Sequence, residues 1–536
     1  MNRPRRLLAA CLSVALFLSF CACKDDAPDP SEQTILYSMD HEPASLDPQI
    51  AADEASRLAL VNLFEGLCRL DGDGNAVPGV AERWEANADF TQFTFYLRED
   101  AAWSDGTPVT ADDFVFGLQR ALSPQTNSPT CDPLFCIRNG EAVHRGELPE
   151  DQLGVHAVGE HQLVIDLEYS YENFPRLTAI PPAMPCNRDF FEASGGRYGL
   201  EADCLLSNGA FRLQKYGWEH GDYLRLSRNT HYAGEQEPVP AGVRFTIGAD
   251  VSDAVAAILG GTVDAAPLKS SQLAQAEEEG LLLTSFQDTV WGLCFNLSDP
   301  VFQNLNIRKS FVQSLDRDYV LSSLPETFAA GDHIILPGMT LGGEEYRPLA
   351  GGPFFPAETD NSAELLAAGL SELERQALPG VSILCLDDPS VRAMVNNMIE
   401  TWNKTLGTYL NMQPLSQKDL EQAVQSGNYQ LAFTSLRAES ESVLDLLSLF
   451  GSQNALNPAR LNSTAYDSLL AAANELPGLQ SLETCTAMEK YLNEQVIFYP
   501  LCYENRYFAA SPAVTGLVFR PYGGGVDFYS ATKQTA

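Results

Sequence analysis

The sequence predicts a mixed α and β protein of several lobes, and three observations carry that expectation. The chain has 536 residues, too many for one ordinary core, so two or three domains are expected. Short runs alternate between apolar and polar residues, as strands half buried in a sheet do. Between them lie segments with apolar residues at helical spacing, and the two kinds mix without strict alternation and without a solenoid-length repeat.

Along the chain, TILYSMDHEP (from Thr34) reads as a strand. SRLALVNLFEGLCRL follows with Leu58, Val61, Leu63 and Leu67 at helical spacing, and DGDGN (Asp71 to Asn75) is a turn. Three alternating strands come next: one with Phe93, Phe95 and Leu97 on one face, one with Leu163, Ile165 and Leu167, and one from Gly221 to Asn229. Helices are expected near Ala254 to Leu259, Ile307 to Leu315, Ala363 to Leu370 and Val391 to Leu406.

Hydrophobic residues make up 45% and aromatics 10%, enough to bury a core and to exclude a disordered chain. The net charge of -37 argues against nucleic acid and anionic lipid headgroups as partners. The N-terminus MNRPRRLLAACLSVALFLSFCAC places Arg3, Arg5 and Arg6 before an apolar run from Leu7 to Phe20. That is the pattern of a secretory signal, too short to span a bilayer comfortably. Ala22 before Cys23 resembles a bacterial lipobox, which would make Cys23 the lipid anchor, and KDDAPDPSEQT then serves as a tether. The expected location is the extracytoplasmic face of a bacterial cell membrane, held by lipid alone.

Nine cysteines remain after Cys11, Cys21 and Cys23 are set aside. Cys131 with Cys136, and Cys186 with Cys204, are spaced as local pairs, but connectivity is not readable from spacing. Without a CxxC pair or an HExxH, no metal site and no cofactor are expected. Without a GxSxG or a histidine motif to serve a nucleophile, no enzyme is expected either.

WSDGTPVTADDFVFGLQRALSP (Trp103 to Pro124) carries three acids, and each has a local structural role. Ser104 to Thr107 form a turn, with Gly106 free to take positive φ. Thr110 is placed as a helix N-cap with its hydroxyl toward the Asp113 amide, and Asp112 and Asp113 favour the positive end of the helix dipole. Phe114, Leu118, Ala121 and Leu122 form the apolar stripe. The stretch is scaffold.

It also resembles a signature shared by the solute-binding lipoproteins of peptide-type ABC transporters, the oligopeptide- and dipeptide-binding family. The resemblance continues in family order through EPASLDPQ, LFEGLCRLDGDGNAVPGVAERWE, SNGAFRL, VAAILGGTVDAAPL, LCFNLSDPVFQNLNIRKSFVQSLDRDYV and AMEKYLNEQVIFYPLCYENRY. It implies an α/β, two-lobed periplasmic-binding-protein-like fold with an additional inserted domain, the lobes joined by two hinge strands. Mapped here, that is a signal peptide 1–22, a linker 23–33, lobe I in 34–74, 185–286 and 507–536, the inserted domain 75–184, and lobe II 287–506. The hinge strands fall near Thr289 to Asn296 and Tyr499 to Tyr503.

The resemblance also implies function: capture of peptides between the lobes, as a monomer, and delivery to ABC transporter permease subunits. The alternative keeps the fold and changes the ligand to a nickel chelate, haem, an opine or an oligosaccharide. In relatives the peptide backbone pairs with main-chain segments, which here are Ala52, Asp53 and Glu54 and the run TSLRAESES. Leu436 stands where relatives carry tryptophan. Glu439 stands where they carry the aspartate that meets the ligand's ammonium group. Arg437 and Thr289 occupy the two positions of a disulfide found in some relatives, and Arg437 is a candidate for an acidic ligand group. Trp291 and Tyr503, on the two hinge strands, complete the expected ligand contacts.

Overall fold

A computed structural model describes residues 34–534 except 40, 72–74, 170, 172, 235–237, 249–252, 326, 353–360, 439–440, 455, 475, 477 and 521–524. Cys23, the signal and tether, part of the DGDGN turn, and Glu439 therefore lie outside the described residues.

Among the described residues, the strands of the two main sheets are β1 (Thr34–Met39), β2 (Ala81–Ala86), β3 (Gln92–Leu97), β4 (Val155–Ala157), β5 (Gln162–Asp166), β6 (Phe211–Glu219), β7 (Tyr223–Arg228), β8 (Gly242–Ile247), β9 (Ala265–Leu268), β10 (Leu282–Phe295), β11 (Phe328–Ala330), β12 (Val381–Leu386), β13 (Leu410–Leu415), β14 (Leu431–Arg437) and β15 (Phe498–Ala510). An eleven-stranded sheet runs β13-β12-β14-β10-β15-β9-β1-β8-β7-β6, with β11 added beside β15. A separate four-stranded sheet runs β2-β3-β5-β4. The alternating strands and the four helical stretches read from the sequence are all present within a few residues, at 254–259, 305–313, 362–372 and 389–406 for the helices.

Two lobes share the large sheet through β10 and β15. These strands are long, 14 and 13 residues, and pair antiparallel from Leu282 with Ala510 to Cys294 with Phe498. One end of the pair carries β9, through Leu268 with Tyr507, and the other carries β14, through Thr289 with Arg437. They extend beyond the intervals expected for the hinge, because their ladder continues from Gln287 with Asn505 to Leu282 with Ala510.

The register breaks twice, between Gln287 and Thr289 and between Trp291 and Gly292. Bulges bend a strand and raise its twist, which lets one sheet serve two lobes. Pro500 sits opposite Gly292 at the second break, where a missing amide is tolerated. Gly292 is required there because a Cβ would come within 2.3 Å of the Tyr499 carbonyl oxygen.

The apolar residues form two large cores. One surrounds Val290, Phe295, Phe311, Trp402 and Phe433 in the second lobe. The other joins Tyr37, Phe245 and Phe528 of the first lobe to Phe93, Phe95, Trp103 and Phe174. The segment expected as an inserted domain thus has its own sheet but packs continuously with the first lobe.

Helix α1 (Glu54–Leu63) and helix α2 (Ala111–Leu122) are anchored by the stretches that carried the family resemblance. Arg120 of α2 is buried against Asp47 at 2.7 Å and Gln49 at 2.6 Å, both in EPASLDPQ. Asn208 of SNGAFRL clasps the main chain of Glu65, accepting from its N–H at 3.1 Å and donating to its oxygen at 2.8 Å. Gly209 follows because a Cβ would come within 2.6 Å of the Leu63 main chain.

Thr110 caps α2 as expected, in a capping box with Asp113. The Asp113 carboxylate accepts from the Thr110 N–H at 2.8 Å, the Thr110 hydroxyl at 3.1 Å and the Trp103 indole at 3.3 Å. Asp105 accepts from the Thr107 N–H at 2.9 Å and closes the preceding turn. All nine cysteines after Cys23 are buried and free.

Candidate ligand-binding site

A cavity of about 2550 Å³ lies between the lobes, lined by both of them and by residues of the 130–184 segment. Drug-sized ligands occupy pockets of roughly 300–1,000 Å³, so this space admits an extended chain of several residues. Aromatic side chains line it, among them Tyr169, Tyr171, Trp291, Tyr507 and Tyr529.

Ala52, Asp53 and Glu54 form one wall, at the start of α1. Asp53 is the N-cap: its carboxylate accepts from the Ser56 N–H at 2.8 Å and the Ser56 hydroxyl at 2.5 Å. Burial alone would raise its pKa, but bonds from His41, Ser56 and the Ala44 amide bring it down to about 2. Its side chain is thus committed to the fold. Main-chain groups are a different matter. Among the described residues, the N–H and C=O of Ala52 bond to no protein group.

The opposite wall is β14. Its ladder to β12 stops at Ala432, while its ladder to β10 continues to Arg437. Ser435 and Arg437 face the cavity. Leu436 does not. It is buried in the second lobe's core, because successive side chains on a strand point to opposite faces. Tyr503 departs from expectation for the same reason. Its hydroxyl is turned away from the cavity to the main chain of His333, accepting from the N–H at 3.2 Å and donating to the oxygen at 3.3 Å.

Trp291 is both a core aromatic and a cavity residue. It is 2% exposed, packs with its ring centroid 5.7 Å from that of Phe433, and still contributes to the cavity lining. Its indole N–H donates to Glu504 at 2.8 Å.

The floor of the cleft is a charged cluster on the paired strands β10 and β15, at their first register break. Arg506 donates to Asp288 at 2.9 Å and pairs with Glu54. Arg437 donates to Glu54 at 2.8 Å and lies 3.8 Å from Asp288. Burial favours a neutral Glu54, but the two guanidiniums hold its carboxyl below the usual range. Burial also works against a charged Arg506, and Glu54 and Asp288 push its pKa up. Arg437, expected to await an acidic ligand group, is thus engaged by the protein's own carboxylates. Thr289 pairs with it in register, with the Arg437 Nε 3.5 Å from the Thr289 hydroxyl, so an ion-pair network stands at the position of the relatives' disulfide.

Asp288, Glu504 and Arg506 escaped the sequence reading. The signal was present: strands this apolar rarely carry buried charges unless they are paired. Glu504 and Arg506, two apart on β15, share a face.

Contacts between regions close the cavity. Arg437 reaches Glu54, Arg176 donates to Glu441 at 2.8 Å, and Arg145 donates to Gln453 at 2.6 Å. The lobes are held together over the cavity. Among the described residues no group of three His, Cys, Asp or Glu is arranged to hold a metal ion, and no helix is long and apolar enough to cross a membrane.

Two lobes on a shared pair of strands, enclosing a large cavity between them, define a hinged solute-binding protein. Comparison with known proteins identifies the group. Residues 75–457 match the bacterial extracellular solute-binding proteins, family 5, and the chain belongs to that family. It is 24% identical to a dipeptide-binding protein of Bacillus subtilis over 98% of each chain. Among solved structures, the substrate-binding domain of an oligopeptide ABC transporter from Bacillus anthracis superposes with a TM-score of 0.80 at 23% identity, covering 94% of this chain and 99% of that one. A Listeria monocytogenes OppA bound to peptide superposes equally, with a TM-score of 0.80 at 22% identity over 94% and 99% of the two chains.

Proposed function

We propose that this protein is a lipid-anchored extracytoplasmic receptor that captures peptides between its lobes and delivers them to an ABC transporter permease. The observation that carries the reading is the pair of open main-chain surfaces on opposite walls of the cavity, at Ala52 and along β14 beyond Ala432. An extended peptide bonds to such edges through its own backbone, so affinity does not depend on particular side chains. The names of relatives, a dipeptide-binding protein and a protein bound to peptide, agree with this.

In this reading the protein binds and releases without a covalent step. Cys23 carries the lipid, the chain works as a monomer, and Glu439 meets the ligand's ammonium group. The division into lobe I, inserted domain and lobe II follows the boundaries given above. Closure about the paired strands β10 and β15 traps the ligand.

Native mass spectrometry of the purified protein, with bound species released and identified, tests the reading. The expected result is a ladder of heterogeneous peptide masses. A single non-peptide mass would contradict it.

A further inference from the structure

The charged floor of the cleft is one cation short. Among the described residues it holds three carboxylates, Glu54, Asp288 and Glu504, and two guanidiniums, Arg437 and Arg506. Both guanidiniums are taken up by Glu54 and Asp288. Glu504 has no described lysine or arginine nitrogen within ion-pair distance, and its one side-chain bond comes from the neutral Trp291 indole at 2.8 Å. The side chain is turned to the cavity. Glu504 is half-buried, and a carboxylate in that position without a contacting counter-charge is satisfied by water, by a proton or by a cation brought from outside. Burial and the Asp288 charge raise the Glu504 pKa, against the Trp291 bond and the charges of Arg437 and Arg506.

We infer that Glu504 receives an ammonium group of the bound ligand, on the paired hinge strands beside their first register break. This rests on the peptide reading above and deepens it. With Glu439 meeting one ammonium group, a second falls to Glu504, and two sources fit: a lysine side chain, or the peptide's amino terminus, which would take that role from Glu439. Trp291 fixes one carboxylate oxygen and leaves the other for the ligand, while its ring supplies an aromatic wall beside the cation. Because Glu504 lies where the lobes pivot, the charge is completed only when a ligand fills the floor of the cleft. Glu439, two residues beyond Arg437, is a separate carboxylate and is tested in parallel.

The test uses three randomised mixtures of tri- to hexapeptides lacking arginine and histidine. One has free amines, one has acetylated amino termini only, and one has amino termini and lysines both acetylated. Affinities of the purified full chain are measured by calorimetry alongside E504Q, E504D and E439Q. Glutamine keeps an acceptor for the Trp291 indole, and thermal unfolding checks that each variant is folded. Wild type should bind the free-amine mixture, and E504Q should weaken that binding roughly ten- to a hundredfold, the scale of a charged hydrogen bond. E504Q should leave binding of the fully acetylated mixture unchanged, and E504D should recover part of the loss. If the mixture acetylated only at its termini still loses affinity in E504Q, lysine is the source; if it does not, the amino terminus is. A folded E504Q that discriminates between free and acetylated peptides as wild type does, with discrimination lost only in E439Q, would overturn the inference and leave the peptide reading intact. Failure of wild type to bind any mixture would overturn the peptide reading itself, and this inference with it.

Discussion

Two acidic regions of this molecule use their charges in opposite ways. In Trp103 to Pro124 every acid with a bonded carboxylate finds its partner nearby: Asp113 takes Thr110 three residues away and Trp103 ten residues away. On the floor of the cleft Glu54 takes Arg437 and Arg506, which lie 383 and 452 residues away along the chain. The first region builds a turn and a helix start that do not depend on the arrangement of the lobes. The second exists only when two lobes and two paired strands are assembled. Charges that close local geometry stabilise the fold, and charges that join lobes couple the fold to an occupant.

Four measurements sharpen or break this contrast. The largest effect is expected from Arg120→Ala. It strands the Asp47 carboxylate in a buried site, and loss of one member of such a pair costs about 3–5 kcal/mol. The urea unfolding midpoint reads it, and a change of under about 1 kcal/mol would show that Arg120 is not the anchor of the EPASLDPQ stretch.

The next effect depends on pH. The Asp53 pKa is depressed to about 2 in the folded protein. A depressed carboxylate contributes stability that is present above its unfolded pKa and lost as pH falls through the folded one. Between about pH 5 and pH 2, wild type should lose about 2 kcal/mol more than Asp53→Asn, by the linkage between pKa shift and stability. Parallel pH profiles for the two proteins would contradict the assignment of Asp53 as a committed cap.

Arg437→Met removes the bridge to Glu54. Both side chains are about a third exposed, at 31% and 30%, so the stability change should be about 1 kcal/mol or less. The lobes should nevertheless part, and the radius of gyration of the ligand-free protein, measured by X-ray scattering, should increase. An unchanged radius would mean the bridge is incidental to closure. The smallest effect belongs to Asp105→Ala in the exposed turn, about 0.5 kcal/mol or less in the same unfolding assay.

Much of the fold was legible in the sequence for the reason this contrast supplies. Alternation marked β3, β5 and β7, and helical spacing marked α1 and the helix at 389–406, because local burial patterns repeat within a few residues. The cleft was half legible. Ala52 to Glu54, Trp291 and Arg437 do meet at one cavity. Leu436 and Tyr503 do not reach it, because a position matched by resemblance fixes a residue's place on a strand without fixing which face it takes. Asp288, Glu504 and Arg506 went unread because their partners come from distant segments, and only the register at the two bulges brings them together.

In the proposed function, main-chain pairing in the cleft holds the ligand. The most direct measurement takes a peptide recovered from the purified protein and resynthesises it with a single N-methyl group at each peptide bond in turn. Binding is then measured by calorimetry. N-methylation removes one backbone donor and leaves every side chain in place. Methylation at alternate positions should weaken binding by roughly tenfold or more, the scale of a buried bond left unmade, with tolerated positions between them. Equal affinity at every methylated position would contradict it, because the open edges at Ala52 and β14 would then have no part in holding the ligand.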